Sequence, residues 1–271
     1  MTRSLAGRVN SWAAWVILMI LIVPSLVAFP VSLTSKTYLS LPWEGVSLQH
    51  FRHLFTSPEW LSSFAQSAII AVVSATLATA VGTLSAIGLW RISSRFGEAI
   101  RAFLLLPLMV PPIISAMAFY RWWVPLGLID SYLGLIVAHA ILALPMVLIT
   151  VSAALANFDL RLEQASRSLG ASLSATIWHV ILPSIRPGIL AGAVFAFILS
   201  WDEIVVGLFI SKFAVFTLPR RLWNGMRENT DPTVAAAAVV LICITLIALI
   251  VHTLLVRLRA GAEARQHGGN T

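Results

Sequence analysis

Between Trp12 and Leu33 the chain runs for 22 residues without a charge, and between Leu61 and Trp90 it does so for 30. About 20 apolar residues in a helix rising ~1.5 Å each are enough to cross the hydrocarbon of a bilayer. Inside that hydrocarbon a backbone must satisfy its own hydrogen bonds, so each run is constrained to be a helix. Four more apolar stretches follow, at about 102–120, 132–158, 188–211 and 233–256. Six such stretches predict an all-α integral membrane protein with six transmembrane helices. Composition agrees: 11% of the residues are charged, against roughly a quarter in soluble domains. Arg3 and Arg8 precede the first run as in a signal peptide, but the run is too long for a signal-peptide core and lacks a small-x-small cleavage site. It is expected to remain as the first span.

The spans differ in ways that assign them different duties. The second, 61–90, is dense in Ala, Ser, Thr and Gly, residues that let helices approach closely in lipid, so it is expected inside the bundle. The third carries Pro107, Pro111 and Pro112 and must kink or unwind, which happens at membrane depth where backbone is buried or lines a cavity. A place beside a translocation path and a plain structural kink both satisfy that requirement. The fifth contains Asp202 and Glu203 about 14 residues beyond Gly188, roughly 21 Å into a core of about 30 Å. Carboxylates at that depth need a wet cavity or a counter-ion. Either they face a solute path or they pair with Arg121 or Arg220. In the connection 34–60, the stretch VSLQHFRHLF reads as an amphipathic helix with Val46, Phe51, Leu54 and Phe55 on its apolar side.

Sidedness follows from the basic residues. Six spans put both termini on one face, and the termini together with the loops at 91–101 and 157–187 hold 11 of the 18 Lys and Arg. Basic loops favour the cytoplasm, so residues 1–11, 257–271 and the loop 159–187 are expected there. The net charge of +7 is thereby explained by orientation in the bilayer, and nucleic acid is not an expected partner. The lone Cys243 and the scattered His residues, with only His50 and His53 close in sequence, predict no metal site. There is no G-x-x-x-x-G-K-[ST] loop and no convergent nucleophile and base, so no catalytic residues or cofactor are expected in this chain. Energy for uphill transport would have to arrive through a partner.

The stretch RLEQASRSLGASLSATIWHVILPSIRP, Arg161 to Pro187, is suited to receive one. Asp159 is placed to cap a helix over 160–169, Glu163 lies in its early turns, and Gly170 is placed to end it in a left-handed conformation. Ser172 can cap a second helix running to Ile181, stopped by Pro183 and Pro187. Two short helices with a sharp bend make a knob for a partner's groove; an amphipathic connection lying on the membrane surface is the alternative. Gln164-Ala165-Ser166, then Gly170, Val180 and Leu182-Pro183 follow the spacing of the Glu-Ala-Ala loop. On that pattern the chain resembles the binding-protein-dependent ABC importer permeases. Gln164 stands where that family has Glu, Ser166 where it has Ala, and Val180 where it has Ile. SWDEIVVGLFIS and TLPRRLWNGMRENTDPTVAAAAVVL resemble the spermidine/putrescine-type branch.

The resemblance implies an inner-membrane permease whose cargo is a polyamine or other small amine. It implies pairing with a second homologous permease or a second copy of itself, two ATPase subunits that carry the ATP and Mg, and an external solute-binding protein. It assigns ATPase coupling to Glu163, Gln164, Ala165, Gly170, Leu182 and Pro183, and the substrate path to Trp201, Asp202 and Glu203. Adjacent helical residues point ~100° apart, and Asp202 matches the acidic position of the branch pattern, so Asp202 is the expected pathway carboxylate. The rival readings are a proton-coupled secondary transporter using the same two carboxylates and an ABC permease for an unrelated solute.

Overall fold

The computed structural model describes residues 5–92, 94–227 and 231–268, and all regular elements among them are helical. In chain order these are α1 (Leu5–Leu26), α2 (Ala28–Ser32), α3 (Gln49–Thr56), α4 (Pro58–Arg91), α5 (Arg95–Met109), α6 (Pro112–Leu126) and α7 (Tyr132–Ala156). Then come α8 (Leu160–Ser168), α9 (Leu173–Thr176), a π-helical turn (Ile177–Ile181), α10 (Leu182–Ser184), α11 (Arg186–Asp202), α12 (Val205–Ile210), α13 (Leu218–Arg227) and α14 (Thr233–Gly268). Among the described residues four helices are individually long and apolar enough to cross a membrane, and the number reaches six when each of two bent pairs is counted as one span. The residues divide into two units, Met1–Leu61 with Leu222–Thr271, and Ser62–Arg221.

In the first unit α14 packs on α2 and α3. The loop between α2 and α3 folds on itself through an antiparallel bridge of Thr34 with Val46 and an ion pair of Lys36 with Glu44. His50 is buried and its Nε2 lies 3.0 Å from the Lys36 carbonyl oxygen. The amphipathic helix is shorter than the sequence suggests and begins at Gln49, whose N–H donates to Ser47 Oγ at 3.2 Å. Leu54 faces inward as expected, whereas Val46 lies before the helix and is exposed. Helix α14 runs past 256 to Gly268, through a segment of Arg, Ala, Glu and Gln that favours helix.

In the second unit α7 is the central element, with Ala143, Val147, Leu148, Val151 and Leu155 buried between its neighbours. Along α11, Gly188, Gly192, Ala196 and Ser200 recur every four residues and form a stripe of small side chains. A Cβ built on Gly192 would lie 2.6 Å from Thr150 Oγ1 and 3.1 Å from Val147 Cα, and one on Gly188 would lie 2.5 Å from Ala154 Cβ. Any larger residue at either position would drive α7 and α11 apart. Gly82 of α4 meets Val147 in the same way, at 2.8 Å, so the small-residue character of 61–90 does place that span against the core.

Two expected spans are interrupted. The third is two helices, α5 and α6, that meet at 105°. Val110 and Pro111 are both extended there, since a residue before proline is excluded from the helical region, and Pro112 opens α6 where its missing N–H costs nothing. The fifth ends at Asp202, and Glu203 and Ile204 separate it from α12.

Asp130 closes the second unit and was not singled out from the sequence. It sits between α6 and α7 with φ +55°, and its own N–H donates to the Ile210 carbonyl at 2.7 Å. Its carboxylate accepts the backbone N–H of Lys212 (2.7 Å), Phe213 (2.9 Å), Ala214 (3.0 Å) and Val215 (3.3 Å). Partial burial would raise its pKa, but the four donors outweigh it and hold the group at about 2, below its ordinary 3.8. A depressed carboxylate stabilises the fold above its unfolded-state pKa and loses that contribution as pH falls through the folded value. Asp130→Asn is therefore expected to lower stability at neutral pH by about 1–3 kcal/mol, the scale of one or two charge-assisted hydrogen bonds. In thermal unfolding of the purified protein the gap between wild type and Asp130→Asn should close between about pH 4 and pH 2.

Candidate functional site

The segment from Asp159 to Pro187 forms two capped helices about a left-handed bend. Asp159 Oδ1 accepts the Arg161 N–H at 2.9 Å and starts α8. Gly170 has φ +86°. The N–H of Ala171 donates to Ser166 O at 3.2 Å and that of Gly170 to Arg167 O at 3.0 Å, the paired bonds of a Schellman ending. Ser172 Oγ accepts the Ala175 N–H at 3.2 Å and starts α9. Pro183 has no N–H to offer, and just ahead of it the register widens so that Leu182 donates to Ile177 O in a π turn. Ile181 and Ile185 are fully buried against Val151 and Leu155 and root the segment in the core.

This geometry distributes the predicted coupling residues between two tasks. Gln164, Ala165 and Gly170 are exposed, and Leu169 and Trp178 beside them are 89% and 67% exposed. They form a free apolar and polar surface. Glu163 instead turns inward: its Oε1 lies 3.0 Å from the Arg91 guanidinium at the end of α4, which also stands over the Trp90 ring. Ser166 Oγ lies 3.1 Å from Thr176 Oγ1 and ties α8 to α9 across the bend, a bond that alanine could not make. Leu182 and Pro183 are half-buried at the root.

At the far end of α7 and α11 the two interrupted spans face each other. A cavity of about 170 Å³ is lined by Pro107, Val110 and Pro112 at the α5–α6 break, Leu142 from α7, Leu199 from α11 and Glu203 just beyond it. Glu203 Oε1 accepts the Val206 N–H at 2.9 Å, so one carboxylate oxygen caps α12 while the side chain borders the cavity. Asp202 is exposed and lies outside this lining. The carboxylate at the break is thus Glu203, one residue on from the one favoured by pattern. Trp201 is half-buried and stacks on Phe197 with ring centres 5.8 Å apart. The considered ion pair with Arg121 or Arg220 is not formed: among the described residues Asp202 and Glu203 have no ion-pair partner. Arg220 donates to Ser211 Oγ at 2.6 Å and lies over Phe216.

One turn before Glu203, Ser200 Oγ lies 2.9 Å from His139 Nδ1. Both residues are buried between α7 and α11. His139 counts among the scattered His residues of the sequence because its partner is 61 residues away.

The comparisons with known proteins agree with this geometry. Residues 78–260 match the family model described as binding-protein-dependent transport system inner membrane component. The chain is 31% identical over 223 residues to the spermidine/putrescine transport system permease protein PotC of Haemophilus influenzae, covering 82% of this chain and 87% of that one. It is 30% identical to PotC of Escherichia coli over 237 residues, covering 88% and 89%. Its fold is similar to a chain in the crystal structure of a bacterial ABC transporter that imports the acidic polysaccharide alginate, with a TM-score of 0.73 at 16% identity, over 93% of this chain and 98% of that one. The chain therefore belongs to the family of binding-protein-dependent transport system inner membrane components, as a multi-pass permease subunit of an importer.

Proposed function

We propose that this permease forms, with a second permease subunit, the solute path of an ATP-driven importer for a polyamine or other small amine. Two ATPase subunits, which carry the ATP and Mg, dock from the cytoplasm on residues 159–187; both termini lie on that side, and an external solute-binding protein delivers the cargo. The observation that carries the cargo assignment is Glu203, a carboxylate bordering a cavity between two broken spans. Interrupted helices at membrane depth are a recurrent way to build a solute site, and an ammonium group is the cargo a lone carboxylate favours there. The names of the similar PotC proteins support the same chemistry.

The mechanism follows from connectivity. Helices α8 to α10 join α7 directly to α11, and the two helices are in close contact along the glycine stripe. Movement of the docked ATPases would displace this hairpin as a body, with its far end at the two breaks, and rock the path between its two openings. The rival of proton-coupled transport gives the docking element no task. The deciding experiment is uptake of labelled spermidine or putrescine into vesicles holding the assembled complex, ATP inside and binding protein outside. Uptake driven by a pH gradient without ATP would overturn the proposal.

Two substitutions test its parts. Glu203→Gln keeps the oxygen that caps α12 and removes the charge. Uptake is expected to fall about tenfold or more, the loss of one charge-assisted contact, with assembly intact; Asp202→Asn should cost less. At Gly170 a Cβ meets nothing within 4 Å, so the strain of a substitution comes from φ alone. Gly170→Val should cost on the order of 1–2 kcal/mol locally and misdirect α9, leaving membrane insertion intact and weakening ATPase co-purification. Gly170→Asn, which tolerates the left-handed region, should retain most of the association.

A further inference from the structure

The two arms of the broken third span and helix α7 line a second cavity, of about 450 Å³, that the transport function leaves without a task. Leu104 and Pro107 line it from α5, Ile114 and Ala118 from α6, and Ile141 and Leu144 from α7. Ser115 contributes the one polar side chain of the lining. Such walls do not hold water, and a void against them forfeits dispersion contacts, so the space calls for an apolar occupant. Its volume falls in the range of about 300–1,000 Å³ typical of small-ligand sites. A helix with its side chains is about 10–12 Å across and needs a long groove instead.

Arg101 indicates the polar end of that occupant. It stands three residues before Leu104 on α5, one turn away on the same face. Its Nε is buried and makes no hydrogen bond, and among the described residues the guanidinium has no ion-pair partner. Glu98, one turn earlier, does not pair with it. Exposed Arg95 adds a second cation at the start of the helix. A half-buried guanidinium left unsatisfied is costly and calls for an anion. From Arg101 to Pro107 the chain climbs about 9 Å along the helix. An amphiphile with an acidic head and a long acyl tail satisfies both ends at once, and the surrounding bilayer is its source.

We propose that the angle between α5 and α6 holds one acyl chain of an anionic phospholipid whose phosphate sits on Arg101. Pro107, Val110 and Leu142 also wall the smaller cavity beside Glu203, so the chain braces the bend that bounds it. The test uses the assembled transporter in phosphatidylcholine nanodiscs containing a phosphatidylglycerol with a diazirine at the end of its acyl chain. Photolabel is expected on the α5, α6 and α7 residues of the cavity, and about tenfold less with the matching phosphatidylcholine probe. Arg101→Gln should lower labelling by the phosphatidylglycerol probe to a similar extent, and Arg101→Lys should keep most of it. Ala118→Phe, which adds a ring to the cavity from an exposed position of α6, should exclude the chain while the subunits still co-elute. Equal labelling by the two probes, or wild-type labelling in Arg101→Gln or Ala118→Phe, would overturn the proposal. So would an Ala118→Cys variant that cross-links to the second permease, because a protein would then cover the cavity. Labelling is read without ATP, binding protein or cargo, so its failure leaves the transport reading standing, and a failure of amine uptake leaves the lipid site standing.

Discussion

A backbone N–H or carbonyl that leaves a helix inside a membrane has no water to turn to. That constraint governs each place where this chain departs from a straight span. At the α5–α6 break the chain uses Pro111 and Pro112, so two of the donors there do not exist, and Pro112 begins the next helix with a preset φ. At the α11–α12 break the freed donor of Val206 is taken by Glu203. At the hairpin loop beyond, Asp130 satisfies four consecutive donors with one carboxylate. The acidic residues of the second unit are placed chiefly by the need to terminate helices, and function is built on what that leaves over.

What it leaves over at Glu203 is a side chain that also borders a small cavity. A side chain engaged on one side by a helix N-terminus is held in one rotamer, and a fixed carboxylate recognises a cation better than a free one does. The same residue therefore ends a span, starts another helix and borders the space between two breaks. Its distance from the docking segment is the length of α11, 17 residues or about 25 Å. Over that length α7 and α11 touch through glycine, alanine and serine and close with the His139–Ser200 hydrogen bond. Small residues in contact leave no side-chain slack through which one helix could shift without the other, which is what transmission across the membrane needs.

Much of this was legible from the sequence for a physical reason. Apolar runs, prolines and capping residues act on their own neighbours, so the spans, the Pro111–Pro112 break, the Asp159 and Ser172 caps and the Gly170 bend could be read locally. What could not be read were interactions set by tertiary contact. Arg91 meets Glu163 across 72 residues, His139 meets Ser200 across 61, and Asp130 reaches a loop more than 80 residues on. The different placement of Asp202 and Glu203 was hidden for a related reason. A helical-wheel argument assumes that the helix continues, and here it stops between them, so the ~100° step no longer decides which carboxylate faces inward.

The departures from the Glu-Ala-Ala pattern also acquire a physical sense. Gln164 in place of Glu leaves the outward surface of α8 without an acidic group at that position, while the acid one residue earlier is turned to Arg91 on α4. Ser166 in place of Ala adds a hydrogen bond to Thr176 across the bend. Both changes shift polar interaction from the partner-facing side to the inside of the element. The outward face keeps Leu169 and Trp178 beside the exposed Arg161 and Arg167. A surface of that kind is defined by the angle at which its two helices are held. The left-handed turn at Gly170 and the Ser166–Thr176 bond together set that angle.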